Sequence, residues 1–260
     1  MSLTDKGYWK RYYQPNLQPR HVMVDPNRYY FDSECMDFIT PYLPVVTPQN
    51  PVRLLEMGCG NSLWLPFFAS TWNYQVNGID YSEDGCKLAQ ANLAAKGCSG
   101  NVQCLDFTRL GDEFQGIFDV VFSLGVVEHF ENTSELVGYF VRCLKPGGVI
   151  ITVVPNMVGI MGKIQKLVSE RIYKAHQSLD LSALVKVHTD QALSIQASGY
   201  LMFLGLGMID FPDLPFKRWF GKTIYGLDLL HLFIRRLTGL MPQSSSCSSF
   251  VAVIACRGEA

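Results

Sequence analysis

The sequence has no Cys-x-x-Cys pair and no zinc-type Cys/His spacing among its eight cysteines. No metal site is therefore expected, and reduced thiols are the simpler reading. It also lacks an uninterrupted apolar span. The uncharged stretches 57–79, 146–162, 191–209 and 237–256 are each broken by Gly, Pro, Asn, Gln or Ser, whereas a bilayer-crossing helix needs ~20 apolar residues in a row. No membrane span is expected. The opening Met1–Lys10 carries no apolar run of signal-peptide type, which together with reduced thiols leads to an expected cytoplasmic location. An excess of one charge sign is missing too: 22 Lys and Arg stand against 23 Asp and Glu, a net charge of -1. Nothing pulls the whole chain toward nucleic acid or an anionic membrane, and no nucleic-acid partner is expected.

What is there is a chain of 260 residues, 48% hydrophobic, with a mean hydropathy of +0.11. That is enough to bury a full core without disulfides. The balanced charge is unevenly spread: residues 1–50 are neutral, 51–150 carry -5 and 151–260 carry +4. Pro41, Pro44, Pro48 and Pro51 close the first part, so residues 1–50 are read as an N-terminal cap or lid and 51–260 as the main domain. Within that domain, 51–155 would bind the cofactor, 156–248 would cover the acceptor and contain the sixth strand, and 249–257 would form the last strand.

From Val52 onward, short apolar runs alternate with helical patterns. Residues 52–57, 74–79, 102–105, 117–123 and 149–154 read as buried strands, and 63–71, 83–96 and 134–144 as helices, with Ser82 as an N-cap. Such alternation argues for a parallel sheet covered on both faces. Later, 196–204 and 250–255 read as two further strands and 223–237 as an amphipathic helix.

The first strand runs into Glu56-Met57-Gly58-Cys59-Gly60-Asn61-Ser62 and then directly into a helix. Glycines at such a turn let backbone approach a ligand closely. A tight turn alone would use them equally well. The second strand ends at Asp80, twenty residues after Gly60, where a carboxylate can accept hydrogen bonds from both ribose hydroxyls of a nucleoside cofactor. A dinucleotide site would want a third glycine at the helix start; that position is Leu63. The third strand ends in Cys104-Leu105-Asp106-Phe107, the fourth reads Phe118-Asp119-Val120-Val121-Phe122-Ser123, and Leu144-Lys145-Pro146-Gly147-Gly148 precedes the fifth.

With these motifs the chain resembles the class I S-adenosylmethionine-dependent methyltransferases, particularly the type-11 group acting on small molecules. The resemblance spans about Val52 to Pro155. It implies an α/β, Rossmann-like fold: a seven-stranded, mostly parallel sheet with an antiparallel last strand, an N-terminal helical cap and an insertion after the fifth strand. It also implies S-adenosyl-L-methionine as methyl donor. Glu56, Gly58, Cys59 and Gly60 would border the methionine part, with Ser62 standing where many relatives have glycine and able to donate to the carboxylate. Asp80 would hold the ribose, Tyr81 would pack on the adenine, Asp106 and Phe107 would meet its edge and face, and the backbone at Ser123 and Leu124 would receive the ammonium.

Methyl transfer from a sulfonium needs alignment and exclusion of water, plus a base where the acceptor loses a proton. Glu128 and His129, after the fourth strand, are candidates for that role; the competing reading is a helix cap. His176, in the insertion, would orient the acceptor or act as base, or merely flank a helix. His188 reads as structural. The aromatic run Tyr8-Trp9-Lys10-Arg11-Tyr12-Tyr13 reads as a lid, with Tyr13 on the cofactor. The apolar stretch 199–220 suits an acceptor pocket or a homodimer surface, and Lys217, Arg218, Lys222, Arg235 and Arg236 would attract an anionic group on the acceptor. The function expected is methyl transfer to a small molecule. An RNA or protein methyltransferase, and a binding subunit that has kept the fold without catalysis, are the competing readings.

Overall fold

A computed structural model describes residues 2–13, 23–209, 217–239 and 241–259, with the side chains of 217–222 outside that description. Seven strands form one sheet in the order β3-β2-β1-β4-β5-β7-β6: β1 (Arg53–Met57), β2 (Gln75–Asp80), β3 (Asn101–Cys104), β4 (Phe118–Leu124), β5 (Leu144–Pro155), β6 (Leu193–Phe203) and β7 (Ser248–Arg257). The first five pair in parallel. β7 is inserted antiparallel between β5 and β6. The expected fold class is therefore borne out, and the sheet's reversal of strand order falls between β1 and β4, where open α/β sheets bind ligands.

Two helices, α1 (Lys6–Tyr13) and α2 (Tyr30–Ile39), precede the sheet, and α3 (Trp64–Trp72), α4 (Glu83–Ala95) and α5 (Thr133–Cys143) connect its parallel strands. After β5 come α6 (Ile160–Val168), α7 (Glu170–Lys174) and α8 (Leu181–Thr189), and α9 (Lys217–Thr238) lies between β6 and β7. Ser82 caps α4 as expected, its hydroxyl accepting the Gly85 amide at 3.3 Å. The fifth strand starts earlier than the apolar pattern foretells. Leu144 pairs with Phe118, and the turn residues Lys145–Gly148 are then absorbed as a register irregularity before Val149 pairs with Val120.

The period-two alternation of the strands divides the core. On β4, Val120 and Phe122 pack with Ile39, Leu65, Phe68 and Leu93 on the face covered by α2, α3 and α4. Val121 packs with Val137, Phe140 and Leu184 on the face covered by α5 and α8. Each such large side chain contributes ~1.5–3 kcal/mol by leaving water. His188 is a core residue, as expected: fully buried, its Nδ1–H donates to Leu184 O at 2.8 Å while Nε2 meets the Thr152 hydroxyl at 2.9 Å. Burial lowers its pKa to about 4, so it stays neutral.

Candidate functional site

The carboxyl ends of β1, β2 and β4 open into one cavity of about 720 Å³, within the size range of small-molecule sites. Its floor is the loop after β1. The amides of Gly58 and Cys59 both donate to Ile79 O, at 2.8 and 3.0 Å, which bends the chain sharply. Gly58 and Gly60 have φ of +68° and +38°, a region that disfavours side chains. A Cβ on Gly58 would lie 2.5 Å from Val126 Cγ2, and one on Gly60 would collide with the Tyr13 hydroxyl. Both glycines are thus required by close approach, which spacing alone could not decide.

Asp80 is 5% exposed. Its Oδ2 accepts the Gly60 amide at 2.9 Å and its Oδ1 the Ser82 amide at 2.7 Å. Burial raises its pKa to about 6 despite those two amides. Glu56 is buried beside it and receives the Ser62 hydroxyl at 2.6 Å; burial pushes it up to about 8. The same hydroxyl oxygen accepts the amides of Trp64 and Leu65, each at 3.0 Å. Ser62 is therefore the side chain that starts α3. Its hydroxyl donates to Glu56 here, and Ser62 also lines the cavity.

Of the remaining cofactor candidates, Cys59, Tyr81, Phe107 and Leu124 line the cavity, and Phe107 is held by Phe130 and Phe140 at ring distances of 5.7 and 5.6 Å. Asp106 and Ser123 are not among the lining residues. Asp106 instead caps the turn Phe107–Arg109, accepting the Thr108 amide at 3.0 Å and hydroxyl at 2.7 Å. The Ser123 side chain is fully buried in β4.

Glu128 and His129 sit on a short 3-10 turn, Val127–His129, just past β4. His176 follows α7, 47 residues after His129 in sequence, yet their rings are 4.5 Å apart. Two hydrogen bonds join the segments: the Gln177 amide donates to Glu128 O at 2.6 Å, and His129 Nδ1 contacts Ala175 O at 2.7 Å. A carbonyl only accepts, so Nδ1 of His129 carries the proton and Nε2 is the lone-pair nitrogen. His176 Nδ1 likewise donates to a carbonyl, Ile172 O, at 2.7 Å. Burial, and then the neighbouring His176, lower the His129 pKa to about 3. Glu128 is 1% exposed, its Oε2 has no hydrogen-bond partner among the described residues, and burial raises it to about 8.

The aromatic N-terminal segment closes one side. The Leu3 amide donates to His129 O at 2.7 Å, tying residues before α1 to the turn after β4. Trp9 stacks on Tyr13 at 5.8 Å and meets the His129 ring edge-on at 5.1 Å. Tyr13 is buried against the loop, and burial, then Asp80, hold its phenol well above the usual range. Asn61 of the glycine loop also lines the cavity, as do Met157, Gln165, Met208 and Asp228; no motif singled out the last four, because their placement depends on segments packed from distant sequence.

The basic residues expected to greet an anionic acceptor do not reach this cavity where they are described. Arg235 pairs with Glu34 at 2.6 Å and with Asp37, and Arg236 donates to Asn27 O at 3.0 Å. Lys217, Arg218 and Lys222 have side chains outside the described residues. Among the described lining residues are Asp32, Glu56, Asp80, Glu128 and Asp228, and no Lys or Arg.

Comparison with known proteins agrees with the motifs. Residues 55–152 match a family model described as a methyltransferase domain. The chain is 33% identical over 98 residues to a ubiquinone biosynthesis O-methyltransferase of Idiomarina loihiensis, covering 38% of this chain and 40% of that one. It thus spans about two fifths of that relative's length. Among solved structures, phosphoethanolamine N-methyltransferase 2 of Haemonchus contortus in complex with S-adenosyl-L-methionine superposes with a TM-score of 0.59 at 17% identity, over 87% of this chain and 53% of that one. The [4+2]-cyclase SpnF superposes at 0.64 with 13% identity, over 97% and 93%. At those identities the likeness is one of fold. The methyltransferase-domain match over residues 55–152 and the shared fold both agree with the resemblance read from the motifs.

Proposed function

We propose that this chain, built on a class I methyltransferase domain, transfers the methyl group of S-adenosylmethionine to a small-molecule acceptor by in-line displacement and releases S-adenosylhomocysteine. The observation that carries the reading is that a single cavity is lined by both the donor-type loop, Gly58 with Asp80, and the proton-handling cluster of Glu128, His129 and His176.

The residues fit the donor. Each Asp80 oxygen accepts one amide, and a carboxylate oxygen has a further lone pair for a ribose hydroxyl. Glu56 and the loop backbone would border the methionine part, and Tyr81 and Phe107 the adenine. The rings of Trp9 and Tyr13 lie beside the loop, where aromatic faces favour a cation. When bound, S-adenosylmethionine supplies a methyl group activated by a sulfonium.

The chain's own work is to orient and to exclude water. Residues 2–13 act as the lid, and Met157, Gln165, Ile172 and Asp228, from segments after β5, line the acceptor side. His129, neutral and with Nε2 as its acceptor nitrogen, is built to receive a hydrogen bond from an acceptor hydroxyl and so fix its oxygen. With a pKa of about 3 it is a weak base; Glu128, whose carboxyl burial raises to about 8, takes the acceptor's proton only from its ionised form, so transfer through it gains as pH rises toward 8. His176 backs the His129 ring. A lining rich in carboxylates and without a described Lys or Arg supports a neutral acceptor that sheds a proton, such as a phenol, over an anionic one.

The test is release of S-adenosylhomocysteine across a panel of phenols, alcohols, amines and acidic carbons, beside calorimetry of S-adenosylmethionine. Folded protein that binds no S-adenosylmethionine defeats the reading. A second reading, a chain that keeps the donor pocket but transfers no methyl group, draws support from the likeness to a cyclase. It would give binding without release on every acceptor.

A further inference from the structure

We infer that the outward face of α9 is a docking surface for an anionic phospholipid bilayer, with the helix lying in the plane of the headgroups. A surface helix ordinarily turns its apolar stripe to the core and its polar one to water. α9 is built the other way round. Its inward side carries Asp228, which lines the cavity, His231, whose ring lies 5.5 Å from that of Tyr30, and Arg235, paired with Glu34. Of its leucines only Leu232 is buried.

The opposite side is a row of large apolar groups. Leu227, Leu230, Phe233, Ile234 and Leu237 recur at steps of three and four residues, which places them on one face of a helix. All are exposed, Leu230 at 51%, Phe233 at 58% and Leu237 at 70%. Single surface leucines are ordinary, whereas a contiguous apolar row rimmed by polar residues marks a contact surface.

The charge around this row selects its occupant. α9 begins with Lys217, Arg218 and Lys222 and ends with Arg235 and Arg236, and its one acid, Asp228, is turned into the cavity. Arg236 is exposed and donates to Asn27 O at 3.0 Å; Arg28, exposed in the turn before α2, donates to the Tyr225 hydroxyl at 3.2 Å. Both bonds go to neutral oxygens, which leaves the guanidinium charges in place. An apolar row bordered by cations fits anionic headgroups above an acyl layer. A second copy of this chain would instead set the same cations against one another across a two-fold axis.

Among the described residues no helix is long and apolar enough to cross a membrane, so α9 lies on the bilayer and does not span it. Its 22 residues extend ~33 Å, and an interfacial helix sinks its apolar face ~5–10 Å below the headgroups. The pull is local, since the whole chain carries a net charge of only -1. Asp228 reaches the cavity from the side of α9 opposite the apolar row. Docking would therefore set the rim of the cavity at the headgroup layer.

Co-sedimentation of the full chain with vesicles tests the surface with neither methyl donor nor acceptor present, so its outcome is separable from that of the proposed transfer. Vesicles of equal parts phosphatidylcholine and phosphatidylglycerol should bind the chain at least about tenfold more strongly than phosphatidylcholine alone, and added salt should weaken that binding. Leu230→Glu combined with Phe233→Glu should lower partition into the mixed vesicles at least about tenfold, with unchanged far-UV circular dichroism. Absence of binding to the mixed vesicles overturns the inference. So does equal binding to both kinds, or binding unaltered in the variant. A dimer that the variant abolishes, without vesicle binding, gives the face to a second copy instead. Should the double variant fail to fold, Leu237→Glu, at the most exposed position of the row, decides by the same tenfold criterion.

Discussion

The carboxylate of Asp80 closes onto the backbone amide of Gly60 at 2.9 Å, joining the end of β2 to the glycine loop after β1. A residue expected to recognise a ribose also shapes the loop beside it. Asp80→Asn should therefore weaken S-adenosylmethionine binding at least about tenfold, since one charged acceptor is lost at a desolvated site. Calorimetry checks it.

Because burial holds the Asp80 pKa at about 6, donor affinity should fall as pH drops through that value and the carboxylate gains a proton. In Asp80→Asn the same pH series should be flat between 5 and 7.5. A wild-type series that is flat removes Asp80 from the donor site.

Glu56 makes a prediction about stability. Its folded pKa of about 8 lies above the usual 4.5, so the folded state holds the proton more tightly. The stabilising contribution is complete below about 4.5 and is lost as pH rises through about 8. Urea unfolding of wild type between pH 5 and 9 should show this decline, and Glu56→Gln should flatten it, because a glutamine oxygen still accepts from Ser62.

Gly58→Ala meets both a positive φ and Val126 Cγ2 at 2.5 Å, and should cost about 1–3 kcal/mol. Adding Val126→Ala removes the collision but not the backbone strain, so the pair should recover part of the loss. Full recovery would show that φ contributes nothing there.

His129→Ala should lower kcat by about 10²-fold or more once an acceptor is in hand, with the S-adenosylmethionine Kd changed far less. Equal losses in kcat and in unfolding free energy would assign His129 to packing.

Sheet and donor loop were legible because their signals are local. The strands of 52–57 and 117–123 are short apolar runs, the glycines and Asp80 stand at strand ends, and Ser82 announces α4. Ser62 was legible as part of a turn, but its hydroxyl partner, Glu56, was not, because that contact is fixed by how the turn folds back. Asp106 likewise satisfies its own turn before it can serve a ligand. The Arg235 reading failed because charge counting along the chain does not see Glu34 and Asp37 on α2, which neutralise it across the fold.

The sequence by itself determined the order of strands and helices, the loop glycines and the acid after β2, since periodicity and turn chemistry act over a few residues. Only the tertiary structure decided that His176 stands against His129, that Nδ1 of each meets a backbone carbonyl, and that Glu128 is buried with an oxygen that has no partner among the described residues. Those facts depend on packing the insertion after β5 onto the turn after β4. No local pattern encodes a contact between segments so far apart; it arises from the backbone bonds and apolar burial that bring them together.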